Sequence, residues 1–179
     1  IPRAPLKHIV RLTAGIPYYM KLLSGATLAC AQNETIHLAD VNKGLANILD
    51  KKTGIDSIDT METPGEDELR TIHGSKQEVA LIKGVLLTVA RIRSPVTGHL
   101  VNVGELWSEK SPLVTNLQLT RDTIEPALFK AQEMGLLVRK NDTQLAFAIP
   151  MLRESMRRRF NSSWAIIEPQ LKIMRSNNA

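Results

Sequence analysis

Aromatic residues are scarce in this 179-residue chain: two Trp, two Tyr and three Phe, or 4%. A core must therefore rest on Leu, Ile, Val, Ala and Met, and a hydrophobic content of 43% is enough to build one. A single cysteine, Cys30, excludes an internal disulfide. That favours a reducing compartment, so a cytoplasmic location is expected. Cys30 sits in an apolar helical stretch and reads as a packed thiol. No run of about 18 apolar residues occurs, which argues against a membrane span. No charged-then-apolar signal segment opens the sequence. The ten glycines are scattered and no Gly-Lys-Ser or Gly-Lys-Thr is present. A phosphate-cradling Walker A loop is thus missing, and the chain is not expected to hydrolyse a nucleotide by itself. His8, His37, His73 and His99 lie too far apart for metal-ligand spacing, so no metal is expected. Glu66-Asp67-Glu68 reads as a solvated acidic turn. A free-standing enzyme has no supporting residues, and no catalytic residue is assigned.

Positive charge is what the chain has in excess: net +5, with a pI of about 9.5. This balance permits nucleic-acid or anionic-surface binding without requiring it. The sequence starts at Ile1-Pro2 without Met, so a processed product or the C-terminal piece of a longer protein is expected.

Apolar periodicity divides the chain into four parts. Residues 1–54 read as helical. Leu6, Ile9, Val10 and Leu12 form a first stripe, Gly15 suits a helix end and Pro17 suits the next helix start. Asp40 is placed as the cap of a third helix carrying Val41, Leu45, Ile48 and Leu49, which Gly54 ends. Residues 55–74 read as a linker around Thr63-Pro64-Gly65. Residues 75–160 form a second domain. Ser75 caps a long helix to about Arg93, Ser94–His99 is a loop, and Val101–Val103 is a short strand or the approach to the next helix. That second helix spans Val103 to Lys110, with Ser111-Pro112 ending it. A third helix follows Thr120, its start shortened or displaced by Pro126, and Gly135 closes it. Two strands around the Asn141-Asp142-Thr143 turn make a hairpin. Pro150 starts a helix through Arg159. Residues 161–179 form a helical tail broken at Pro169. The expected fold is mostly α: a helical lid-like subdomain, then a winged helix-turn-helix with a two-stranded wing.

In such a module the third helix is the element that enters a DNA major groove. Here its polar positions include Arg121 and Lys130 but also Asp122 and Glu125, which phosphates repel. Wing residues Arg139 and Lys140 and the later group Arg153, Arg157 and Arg158 are the other candidates for contact with DNA or an acidic partner. Arg153 and Arg157 are four apart and share a helical face.

Two segments together resemble a known family. Leu12-Thr13-Ala14-Gly15-Ile16-Pro17-Tyr18 is similar to the Leu-Thr-Gly-Gly-x-Pro-Tyr segment in the helical lid of AAA-related ATPases. That segment recurs in the STAND class, in archaeal-type ATPases and in origin-recognition initiators. Residues 145–156, Leu-Ala-Phe-Ala-Ile-Pro-Met-Leu-Arg-Glu-Ser-Met, resemble the passage from the wing into the closing helix of the same proteins. The likeness covers most of residues 1–160. It implies that Gly15 and Pro17 lie beside a nucleotide held by a preceding ATPase core, with ATP or ADP and Mg bound there and not by this chain. It implies a coupling role, with the upstream ATPase domain, and a protein partner or self-assembly, as contacts. The alternative is a DNA-binding winged helix of a replication initiator or a transcription regulator. Two positions depart from the family pattern: Ala14 replaces the first glycine, and Ile149 stands where some members carry a phosphate-sensing histidine.

Overall fold

The computed structural model describes residues 2–32, 34–49, 75–92 and 100–177. The proposed linker 55–74, the stop at Gly54 and the Ser94–His99 loop lie outside them. The chain divides into two compact units, 1–64 with 149–152, and 65–148 with 153–179. It is mostly helical, with one small antiparallel sheet.

In the first unit, α1 (Arg3–Thr13) buries Pro5, Ile9, Leu12 and Thr13, one stripe at helical spacing. It ends through two left-handed residues, Ala14 at φ 52° and Gly15 at φ 74°. The Gly15 N–H donates to the Val10 carbonyl at 3.0 Å, closing the last turn. Glycine meets this geometry freely, whereas Ala14 carries a side chain there at a cost of about 1 kcal/mol. α2 (Pro17–Cys30) starts on Pro17, whose missing N–H no helical bond needs.

α3 (Leu38–Leu49) corrects one expectation. Asp40 is not the cap but lies inside the first turn, because His37 supplies the carbonyl that accepts from the Asp40 and Val41 N–H groups. The buried Asp40 carboxylate reaches back and accepts from the His37 N–H at 2.8 Å, the second half of a capping box without its first. Gly44 lets α2 and α3 approach closely: a Cβ there would lie 2.7 Å from the Thr27 backbone nitrogen. Around this crossing, Ile9, Leu12, Leu23, Val41, Leu45, Ile48 and Leu49 form the core, joined by Met151 from the returning segment.

The second unit is built on α4 (Lys76–Arg91). Ser75 Oγ accepts from the Glu78 N–H and the Glu78 carboxylate accepts from the Ser75 N–H at 2.7 Å, a complete capping box. From Ala80 to Ala90 every residue but Lys83 is buried. β1 (Val101–Asn102) leads into a short 3-10 turn, Val103–Trp107, begun by Asn102 Oδ1 accepting from the Gly104 N–H. The expected helix from Val103 to Lys110 is thus only this turn. Ser111-Pro112 does not end a helix but starts one: Pro112 takes the first position of α5 (Pro112–Thr115), where proline's fixed φ is favourable.

α6 (Arg121–Glu133) runs straight through Pro126, which lies far enough inside to forfeit one hydrogen bond to Asp122, an exposed residue. Gly135 at φ 71° ends it, with the Leu136 N–H donating to the Ala131 carbonyl. β2 (Leu137–Asn141) and β3 (Gln144–Phe147) form the hairpin, and β1 adds to it, giving the antiparallel order β1-β3-β2. α7 (Pro150–Arg158) and α8 (Phe160–Asn177) follow. α8 is not broken at Pro169. That residue and Ala165, whose carbonyl loses its partner, are both exposed, so water can replace the bond.

Gly44→Ala is expected to destabilise the chain by about 1–3 kcal/mol, since backbone must shift to admit the methyl group. Gly25→Ala, at an exposed α2 position with open space around it, should instead be neutral or stabilising by up to about 1 kcal/mol. Urea melts of the two variants check the contrast.

Candidate functional site

The turn between α1 and α2 presents Gly15 and Pro17 at the surface, both exposed. Nothing lies within 4 Å of the position a Gly15 Cβ would take. Tyr18 is 52% exposed, its ring set edge-on to Tyr19 with centroids 5.4 Å apart. The turn therefore offers a bare backbone, a rigid proline and an aromatic face, all at the positive end of a 14-residue helix. It fits close approach by a planar group and supplies no cationic side chain of its own.

The second unit gathers the other candidates, and most are already occupied. Arg121 donates to Glu125 at 3.1 Å, and its guanidinium lies 5.5 Å from the Trp107 ring centroid. Lys130 pairs with Glu133 at 3.0 Å. Both are surface pairs worth little to stability, yet each cancels a charge that phosphate contact would need. Along the same helix Phe129 is 50% exposed, and Asp122, Pro126 and Glu133 are exposed with it, at spacings of four, three and four residues. Acidic and apolar groups on the outward face do not form a base-reading set.

In the hairpin, Arg139 donates to the Asp142 carbonyl at 3.0 Å and so braces the turn. Lys140 is exposed at the register shift, where Arg139 pairs Leu145 and Asn141 pairs Gln144. Asn141 Oδ1 accepts from the Thr143 N–H, which tightens the two-residue loop.

Arg153 and Arg157 do not share a solvated face. Arg153 is buried at 6% exposure and donates to the Ile92 carbonyl at 2.6 Å, closing the C-terminal end of α4. Loss of water pushes its guanidinium below the usual arginine value, with Glu154 acting to raise it and Arg157 to lower it further. Periodicity places Arg153 on α7 but cannot foresee that Arg153 is turned inward while Arg157 is not. Arg157 is exposed and paired with Glu154 at 2.8 Å. Arg158 is exposed.

Sequence reasoning did not foresee a cleft of about 930 Å³ at the end of α4. Thr88, Arg91, Glu105, Glu109 and Ser111 contribute to its lining. The Ser111 hydroxyl is buried and makes no hydrogen bond. The only local signal is Ser111-Pro112, a pair that suits a helix start as well as a stop. Among the described residues no group of three or more His, Cys, Asp or Glu could hold a metal, and no helix is long and apolar enough to cross a membrane. Comparison with protein-family models, curated proteins and solved structures gives no match.

Arg153→Ala should cost about 1–3 kcal/mol, because it strips the part-buried Ile92 carbonyl of its charged donor. Arg158→Ala should change stability by less than about 0.5 kcal/mol. Thermal melts of both variants decide whether Arg153 is structural in this way; equal shifts would refute it.

Proposed function

We propose that the first unit is a lid-like helical subdomain and the second a winged helix, together the C-terminal coupling region of a multidomain AAA/STAND-like ATPase. The observation that carries this reading is the order α4-β1-α5-α6-β2-β3 with strand order β1-β3-β2. In a winged helix the hairpin returns to pair with the strand preceding the second helix, and here β3 pairs with β1 in that way. The left-handed Ala14-Gly15 exit and the Pro17-started helix give a second support, since they suit the place that the lid segment takes beside a nucleotide.

The region is non-catalytic by itself. ATP or ADP and Mg belong to a preceding core, and the exposed Gly15, Pro17 and Tyr18 fit contact with the purine rather than the phosphates. Nucleotide state changes partner contact only if bound and free forms favour different positions of these residues. For the second unit, contact with a protein is favoured over contact with DNA: Phe129 and Pro126 are exposed on α6, and Arg121 and Lys130 are paired there. A DNA-binding winged helix is the second reading, with the exposed Lys140 and Arg158 as its support.

The test is hydrolysis by the full gene product and by this chain. The reading expects a P-loop domain upstream of Ile1, phosphate release by the whole protein, and none above buffer from residues 1–179. It also expects Pro17→Gly to weaken nucleotide binding by about tenfold, the loss of roughly 1.4 kcal/mol. An upstream domain without a P-loop overturns it.

A further inference from the structure

No acidic residue occurs before Glu34, while Arg3, Lys7, Arg11 and Lys21 do. Three of these four cations lie on α1 at intervals of four residues, which puts them on one face over about 12 Å. All three are exposed. Among the described residues Arg3 and Lys7 have no side-chain hydrogen-bond or ion-pair partner, whereas four cations of the second unit are ion-paired: Arg121 with Glu125, Lys130 with Glu133, Arg157 with Glu154 and Lys172 with Glu168. Arg11 is held in place without being neutralised. Its Nη2 lies 2.9 Å from His8 Nδ1, and His8 Nε2 lies 3.2 Å from Asn42 Oδ1 on α3. A guanidinium ordered before binding loses less entropy on contact.

We infer that the outward face of α1 is a phosphate-contacting surface for a nucleic-acid backbone. The charge is of one sign and recurs along a line, which suits a polyanion with evenly spaced phosphates. Arginine's planar fork matches a phosphate bidentately. A protein partner would call for an apolar or aromatic centre. α1 has no aromatic residue, and only Leu6 and Val10, about half exposed, flank the basic line. A membrane surface would need the helix's apolar face, and that face is buried in the core of the first unit. The surface contacts phosphates and no bases, so the binding is independent of sequence. It is also independent of the coupling role, because none of its residues belongs to the Gly15–Tyr18 turn.

Fluorescence anisotropy on residues 1–179 tests it, with a mixed-sequence DNA duplex, single-stranded DNA and an RNA hairpin as probes. Polyglutamate and phosphatidylserine vesicles form the competing arms. Between about 50 and 200 mM salt, three phosphate contacts should contribute about −2.7 to the slope of log K against log salt. Arg3→Gln, Lys7→Gln and Arg11→Gln combined should remove that contribution and weaken binding at least about tenfold at the low-salt end. Arg3→Lys with Arg11→Lys, which keeps the charge if the triple variant misfolds, should retain binding within about threefold. Arg121→Gln with Arg139→Gln should leave the slope unchanged. The inference is overturned if no nucleic acid binds at low salt, if the Arg121/Arg139 variant loses binding while the triple variant keeps it, or if polyglutamate or vesicles bind more tightly than every nucleic-acid probe.

Discussion

Burial of α4 on nearly all sides is the constraint from which the second unit follows. A helix whose one residue not fully buried between Ala80 and Ala90 is the half-buried Lys83 cannot sit at a surface. It needs neighbours on every flank, and α5, α6 and α8 supply them. Gly84 marks how close they come: a Cβ there would lie 3.2 Å from side-chain atoms of both Leu113 and Leu171. The same demand explains why α8 stays helical across Pro169. Trp164, Ile167 and Leu171 must fall on one buried stripe, and a break would turn part of it outward. Losing one hydrogen bond on the wet side costs less than losing that stripe. Arg153 belongs to the same closure, since it seals the carbonyl end of α4 from inside.

Charge is distributed on a different principle in each unit. On the described helices of the second, four cations are paired with a carboxylate three or four residues away, and their charge is locally offset. In the first, α1 and α2 have cations and no acids. A helix that shows Phe129 to solvent between paired charges, as α6 does, is suited to hold a protein surface. A basic helix without carboxylates is suited to hold phosphates. These readings assign different partners to different units, and the sequence total of +5 hides the difference.

Periodicity and punctuation made much of the fold legible. Gly15, Pro17, Ser75, Gly135 and the Asn141–Thr143 turn each stand where their backbone chemistry places them. Proline was the recurring source of error. Pro112 suggests a stop, Pro169 a break and Pro126 a shortened or displaced start, yet Pro112 starts a helix and the other two lie within helices, because a single exposed carbonyl can bond to water and the buried face outweighs it. Asp40 lies three residues beyond the cap expected of it because a carboxylate serves equally well at the cap and reaching back to it. The site was less legible. The Pro150 start locates Arg153 on a helix but not which face is inside, and pairing of Arg121 with Glu125 or Arg157 with Glu154 is visible only as spacing. The cleft beside Ser111 brings together the end of α4 and the separate segment from Glu105 to Asn116, which no local pattern encodes.

Hydrogen exchange on the full gene product, with a non-hydrolysable ATP analogue and with ADP, addresses the coupling account most directly. Amides of residues 14–20, the exit of α1 and first turn of α2, should be protected by the ATP analogue and more open with ADP. Those of the capping turn at Ser75–Glu78 should not respond. Identical exchange at residues 14–20 in both nucleotide states would contradict the account.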